Sequence, residues 1–207
     1  AFSGEVVVSF ERMNQIRDFN AIDRTVVCQA GVVTQDLQRF AQQQGLYYPV
    51  NFASSGSSQI GGNIATNAGG IKVIRYGLTR DWVAGLKVVT GKGDILELNK
   101  GLVKNATGFD LRHLFIGSEG TLGFITEATM RLTQPPQKLT VMVLAVNNFD
   151  ALMPVLVHFQ QSIELTDFAF FSAKALHYVL ADGDAKQPMA THTPCHALLQ
   201  FEALLAD

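Results

Sequence analysis

Hydrophobic positions along most of the chain fall in short β-branched runs broken by glycine, and a helical period appears only in brief stretches. Glu5 to Phe10 (EVVVSF) and Arg24 to Cys28 (RTVVC) predict two short buried strands, the second stopped at Gly31. Thr34 sits where a helix cap belongs, with Asp36 in the first turn. Leu37, Phe40 and Ala41 follow at helical spacing until Gly45, so a short amphipathic helix is predicted here. Val83 to Val89 and Ile95 to Leu98 flank Gly91-Lys92-Gly93-Asp94 and predict a β-hairpin. From Phe124 to Leu132 alternation places Phe124, Thr126, Ala128, Met130 and Leu132 on one face of a strand.

Pro135-Pro136 interrupts the chain, and the pattern after it changes. A strand from Leu139 to Val146 is followed by a helix from about Asp150 to Ser162, a strand, a helix from Ser172, and a last strand near His196 to Phe201. Pro154 falls in or just past the first turn of its helix, the part that tolerates proline. Two domains are therefore expected, residues 1–134 and 135–207, in an α+β chain.

Asn51 to Gly70 fits none of these periods. It holds five Gly, four Ser and three Asn, and nothing from Phe40 to Ile71 is charged. Such a segment can be a flexible tether. Phe52, Ile60, Ile64 and Ile71 are too apolar for that, and the tandem glycines at 61-62 and 69-70 suit a backbone passing close to a ligand. A broad, neutral, hydrogen-bonding ring system matches an uncharged wall, and a flavin ring fits that description. The segment is therefore expected to be ordered and packed against the strand at 124 to 132.

Composition narrows the function classes. Charged residues are 16% of the chain against a usual share of about 25%, with a net charge of −2 and a pI of about 6.2. This balance offers no basic face for nucleic acid. No apolar run approaches the roughly 20 residues of a membrane-spanning helix. Cys28 and Cys195 have no CxxC partner, and no secretory signal precedes them, so a reducing, cytoplasmic setting is expected. The start at Ala1 without Met and the low charge lead us to expect a piece of a larger protein.

Gly117-Ser118-Glu119-Gly120-Thr121-Leu122-Gly123 has the glycine density of a dinucleotide fingerprint, but strand periodicity follows it where a Rossmann site needs a helix. No phosphate-binding GxxxxGK[ST] loop occurs. His192, Cys195 and His196 have ligand-like spacing with no fourth ligand in view, so no metal is expected. His113 reads as a packed or surface histidine, and His158 and His177 as ordinary helix-face residues. The Asn105-Ala106-Thr107 sequon is read as coincidence.

Four motifs in one order, between Arg12 and Pro135, carry a resemblance. They are Ile60 to Gly70 (IGGNIATNAGG), Arg75-Tyr76-Gly77, Thr107 to Leu111 (TGFDL) and Leu114 to Gly123 (LFIGSEGTLG), with Cys28-Gln29-Ala30-Gly31 matching the turn before the first helix. The chain resembles the FAD-linked oxidase family with the vanillyl-alcohol-oxidase, or PCMH-type, FAD-binding domain. Within the family it is most similar to the branch of D-lactate, glycolate and D-2-hydroxyglutarate flavoenzymes.

The resemblance implies an N-terminally truncated PCMH-type FAD-binding domain followed by the start of an α+β substrate or cap domain. It implies FAD as cofactor, with Gly61, Gly62, Asn63, Thr66, Asn67, Gly69 and Gly70 lining flavin and pyrophosphate and Tyr76 and Gly77 close behind. Glu119, Gly120, Gly123 and Ile125 would form a second wall near the adenosine half. The implied reaction is oxidation of a D-2-hydroxy acid by hydride transfer to flavin, with a quinone or electron-transfer flavoprotein as the later electron acceptor. The family's pyrophosphate loop would lie upstream of Ala1 and its His-rich motif after Asp207, so these 207 residues are expected to hold FAD weakly and to lack turnover. No catalytic base is implied within the chain. The competing readings are a same-fold FAD enzyme of another substrate class and a non-catalytic module.

Overall fold

The computed structural model describes residues 4–102, 104–183, 185–190 and 192–202. In chain order the elements are β1 (Ile16–Asn20), β2 (Thr25–Gln29), α1 (Thr34–Gln43), α2 (Ile60–Ala65), α3 (Val73–Tyr76), β3 (Val83–Thr90), β4 (Ile95–Leu98), α4 (Arg112–Phe115), β5 (Gly123–Arg131), β6 (Leu139–Val146), α5 (Leu152–Gln160), β7 (Leu165–Ser172), α6 (Ala173–Ala181) and β8 (Cys195–Glu202). They form two units. The first comprises the residues up to Ile71 together with Gly77–Pro135, and the second Lys72–Tyr76 with the residues from Pro136 onward.

The first unit is built on a five-stranded sheet in the order β1-β2-β5-β3-β4, antiparallel throughout. Val26 and Cys28 of β2, Val88 of β3 and Met130 of β5 are fully buried, together with Leu37 and Ala41 of α1 and Ile60 and Ile64 of α2. Helix α1 ends where the sequence stops it. Gly45 takes a left-handed φ of 68°, and the Gly45 and Leu46 amides donate back to the Gln42 and Ala41 carbonyls.

Three expectations are corrected, and the uncharged segment is ordered as expected. Glu5 to Phe10 takes no regular secondary structure and lies outside the sheet, with Val6 and Val7 88% and 78% exposed. The edge place beside β2 belongs instead to β1, whose IRDFN sequence shows no apolar alternation. Strand propensity records fit to a pleated, half-buried surface, and Val6 to Val8 have none to fit. Thr34 is the first helical residue, not the cap; its hydroxyl lies 2.8 Å from Ser58 Oγ and accepts from Asn63 Nδ2.

The uncharged segment contains helix α2, which its glycines conceal. Ile60 and Ile64, one turn apart, both face the core, which rules out a tether. Finally, β5 carries a bulge. Val88 pairs with Ile125 and the adjacent Lys87 with Glu127, so Thr126 is the extra residue and the alternation changes phase there. Ile125 turns inward with Ala128, whereas Phe124 is turned out, half exposed.

The second unit has a three-stranded antiparallel sheet, β6-β8-β7, over which Val146, Leu152, Leu165, Cys195, Ala197 and Leu199 form a core. Asn148 caps the turn before α5, accepting from the Ala151 amide, and Ser172 caps α6, accepting from the Ala175 amide. Pro154 is the third residue of α5, inside the first turn. The one-turn α3 belongs here through Arg75, which pairs with Glu202 at 2.9 Å and Glu164 at 3.3 Å. His196 is buried and stacked on Phe171 at 4.8 Å, and the Cys195 thiol donates to the Val146 carbonyl. Of the His192, Cys195 and His196 trio, Cys195 and His196 are thus taken up by packing, while His192 is exposed.

Candidate functional site

Two of the glycine-rich motifs meet because one supplies carbonyls that the other needs. A helix leaves its last carbonyls without intrahelical partners. At the end of α2 those of Ile64 and Ala65 accept from the Gly117 amide at 3.0 Å and the Glu119 amide at 2.8 Å. The loop of 117–123 is thereby laced to α2 main chain to main chain. Gly120 adopts φ 77° to follow this path. Between α2 and the loop lies a cavity of about 330 Å³.

Its lining contains Gly61, Gly62, Thr66, Glu119, Gly120, Gly123 and Ile125, seven of the residues singled out in the sequence. The glycines there have different reasons to be glycine. A Cβ at 61 would lie 2.7 Å from the Ala30 Cβ and one at 123 would lie 2.5 Å from the Val89 carbonyl oxygen, so both are small for packing. A Cβ at 62 or 120 would meet nothing within 4 Å and would project into open space. Nothing in the protein's own packing excludes a side chain at 62.

The remaining expected residues lie outside this lining. Asn63 is buried, donating from Nδ2 to Thr34 Oγ1 at 2.6 Å. The Asn67 side-chain oxygen accepts from the Arg80 amide at 3.1 Å. A Cβ at 70 would fall 2.4 Å from the Asn51 carbonyl oxygen, one at 69 would touch Leu78, and one at 77 would strike the Asp81 carboxylate. These glycines let the wall double back on itself. Tyr76 belongs to the second unit.

Phe10, Ala30, Gln59, Ala65 and Phe124 also line the cavity and were missed in the sequence. The β-branched run predicts a strand through Phe10, yet the Phe10 ring lies 5.8 Å from that of Phe124, and together they form an aromatic edge. The signal for Ala30 was present in the matched Cys28 to Gly31 turn. Phe124 was hidden by the bulge.

Glu119 is the single charged residue of the lining and is exposed. The rest is neutral, with the apolar side chains of Ala30, Ala65, Phe124 and Ile125 facing a glycine backbone. Such a surface covers the faces of an aromatic ring and lets main chain approach its edge, so the residues present fit part of a flavin cofactor. Outside this lining, Asp110 of the TGFDL motif accepts from Arg112 Nε at 2.9 Å. Hydrogen bonds and the positive charge of Arg112 hold its carboxyl below the usual carboxylate range, against a smaller opposing effect of desolvation.

A family model described as an FAD binding domain matches residues 1–99. Over 203 residues, 98% of the chain, the sequence is 68% identical to D-2-hydroxyglutarate dehydrogenase of Stutzerimonas stutzeri. The chain belongs to the FAD-linked oxidase family. A second relative, the D-2-hydroxyglutarate dehydrogenase of Xanthomonas citri pv. viticola, is 56% identical over the same number of residues. The chain spans 44% and 43% of the lengths of these two relatives. A solved structure of alkyldihydroxyacetonephosphate synthase matches with a TM-score of 0.77, covering 93% of this chain and 38% of that one at 24% identity. That likeness concerns the fold, which is the mixed helix and strand architecture of PCMH-type FAD domains. FAD is the cofactor of the family. Among the described residues no helix is long and apolar enough to cross a membrane.

Proposed function

We propose that the protein is an FAD-dependent oxidoreductase that converts a D-2-hydroxy acid into the corresponding 2-oxo acid, with D-2-hydroxyglutarate as the substrate. The observation that carries this reading is the 68% identity, over nearly the whole chain, to a protein named for that activity. FAD, when bound, supplies an acceptor for the hydride of the substrate's C2. The residues of this chain supply the container. Ala30, Ala65, Phe124 and Ile125 keep water from one part of the cofactor, and Gly62 and Gly120 leave the space into which it fits.

In this reading Gly61, Gly62, Thr66, Glu119, Gly120, Gly123 and Ile125 touch the cofactor, whereas Asn63, Asn67, Gly69, Gly70 and Gly77 shape the walls from behind. Residues 1–134 form the FAD-binding domain, and 135–207 begin the substrate or cap domain. A quinone or an electron-transfer flavoprotein accepts the electrons afterwards. A cytoplasmic setting is supported by Cys28 and Cys195, both buried and free.

The test uses the product of the longest open reading frame containing these residues. Mixed anaerobically with D-2-hydroxyglutarate, it should lose its flavin absorbance in the visible, much faster than with the L-enantiomer, D-lactate or glycolate. Bleaching by D-lactate or glycolate at the greater rate would move the substrate assignment; bleaching by none of the four would refute the reaction.

A further inference from the structure

Behind the cavity wall, one residue, Arg80, gathers both of its segments, one through its main-chain amide and the other through its guanidinium. Asn67, which follows cavity-lining Thr66, accepts from the Arg80 amide. The Arg80 guanidinium donates from Nη2 to the Ile116 carbonyl at 3.3 Å, at the start of the loop that carries Glu119 and Gly120. Its Nη1 lies 3.0 Å from His113 Nδ1. The guanidinium also sits directly beneath Gly117, where a Cβ would be 3.5 Å from Asn67 Cβ and 3.8 Å from Arg80 Nη2.

A guanidinium has five donors and no acceptor. In the Arg80 contact His113 Nδ1 must therefore be the acceptor and carries no proton. The imidazole proton is then on Nε2, which lies 3.4 Å from the Asp110 carboxylate. Asp110 is in turn gripped by Arg112, which donates from Nη1 to the Val83 carbonyl at the start of β3. The order Asn67, Arg80, His113, Asp110, Arg112 leads from the turn after α2 to the sheet, by hydrogen bonds except for the 3.4 Å approach of His113 Nε2 to Asp110.

We propose that Arg80 is a positioning residue for the cofactor, clamping the turn after α2 to the loop of 116–120 and holding His113 with Nδ1 as the acceptor toward Arg80 and its proton on Nε2. The inference rests on the reading of the cavity as the FAD site. Arginine is required because its planar fork reaches the Ile116 carbonyl and His113 together, which the single ammonium of lysine does not.

Two measurements test it. In the unsubstituted protein at mildly alkaline pH, long-range ¹H–¹⁵N correlation of the histidine rings, with His113 assigned by His113→Gln, should show a protonated Nε2 and a bare Nδ1. An Nδ1–H tautomer or an imidazolium overturns the proposal, whether or not FAD binds and whether or not any variant folds. In the product of the longest open reading frame, Arg80→Met should weaken FAD binding about tenfold or more, with Arg80→Lys recovering only part of the loss. Normal FAD uptake unchanged by Arg80→Met overturns this inference alone. Failure of the unsubstituted protein to take up FAD overturns the functional reading and the inference with it.

Discussion

Two aspartates show how position sets the sign of a residue's effect. The Asp110 carboxyl is held below its ordinary value of 3.8, mainly by its hydrogen bonds from Arg112. It therefore adds stability that is present above that value and is lost as pH falls through the lower folded one. Asp167 in β7 is raised, chiefly by desolvation, against weaker help from the Phe168 amide and Lys72. Its charged form is disfavoured in the folded state, so it costs stability at neutral pH, and the cost fades as pH falls through the raised folded value. Asp167→Asn should raise the Tm at neutral pH, with a gain that shrinks in acid, and Asp110→Asn should lower it. Thermal melts across this range decide; equal signs for the two substitutions would contradict the assignment. Burial likewise pushes the Cys28 thiol up to about 12. Iodoacetamide should leave Cys28 unmodified in the native protein, as read by mass spectrometry, and label it on unfolding.

Elements were legible where a period was strong. Helix α1, the β3-β4 hairpin and the β6-α5-β7-α6-β8 succession stand close to where the hydrophobic pattern places them. Three features escaped, each because long-range packing overrode local signal. The edge strand β1 is held by ladder hydrogen bonds without alternation. The β5 bulge inverts the phase of a clean pattern. Helix α2 holds two glycines in six residues and forms because the Ile60 and Gly61 amides donate to the Val32 and Ala30 carbonyls while Ile60 and Ile64 fill the core.

Neighbouring glycines of α2 are unequal. Gly61→Ala drives a methyl into Ala30 and should cost about 1–3 kcal/mol. Gly62→Ala meets open space and should gain up to about 1 kcal/mol from helix propensity. Denaturant midpoints that fall alike for both would contradict the packing described for α2.

At the scale of the whole molecule, family and cofactor were readable because four motifs occur in one order. The division of labour inside those motifs was not. Sequence makes Asn63, Asn67, Gly69 and Gly70 look equivalent to Gly62, yet the first two spend their side chains on Thr34 and Arg80, and the glycine pair lets the wall pass Leu78 and Asn51. Only three-dimensional contacts distinguish a residue that faces a ligand from one that shapes the wall behind it. We propose that FAD sits in the space in front of Gly62 and Gly120. The most direct measurement of this is an FAD titration, followed by flavin fluorescence, of the product of the longest open reading frame with and without Gly62→Leu. Gly62→Leu should melt at or above the temperature of the parent and bind FAD at least about tenfold more weakly, since the new side chain fills the cavity without touching the core. An unchanged FAD affinity in a Gly62→Leu protein of normal stability would contradict it.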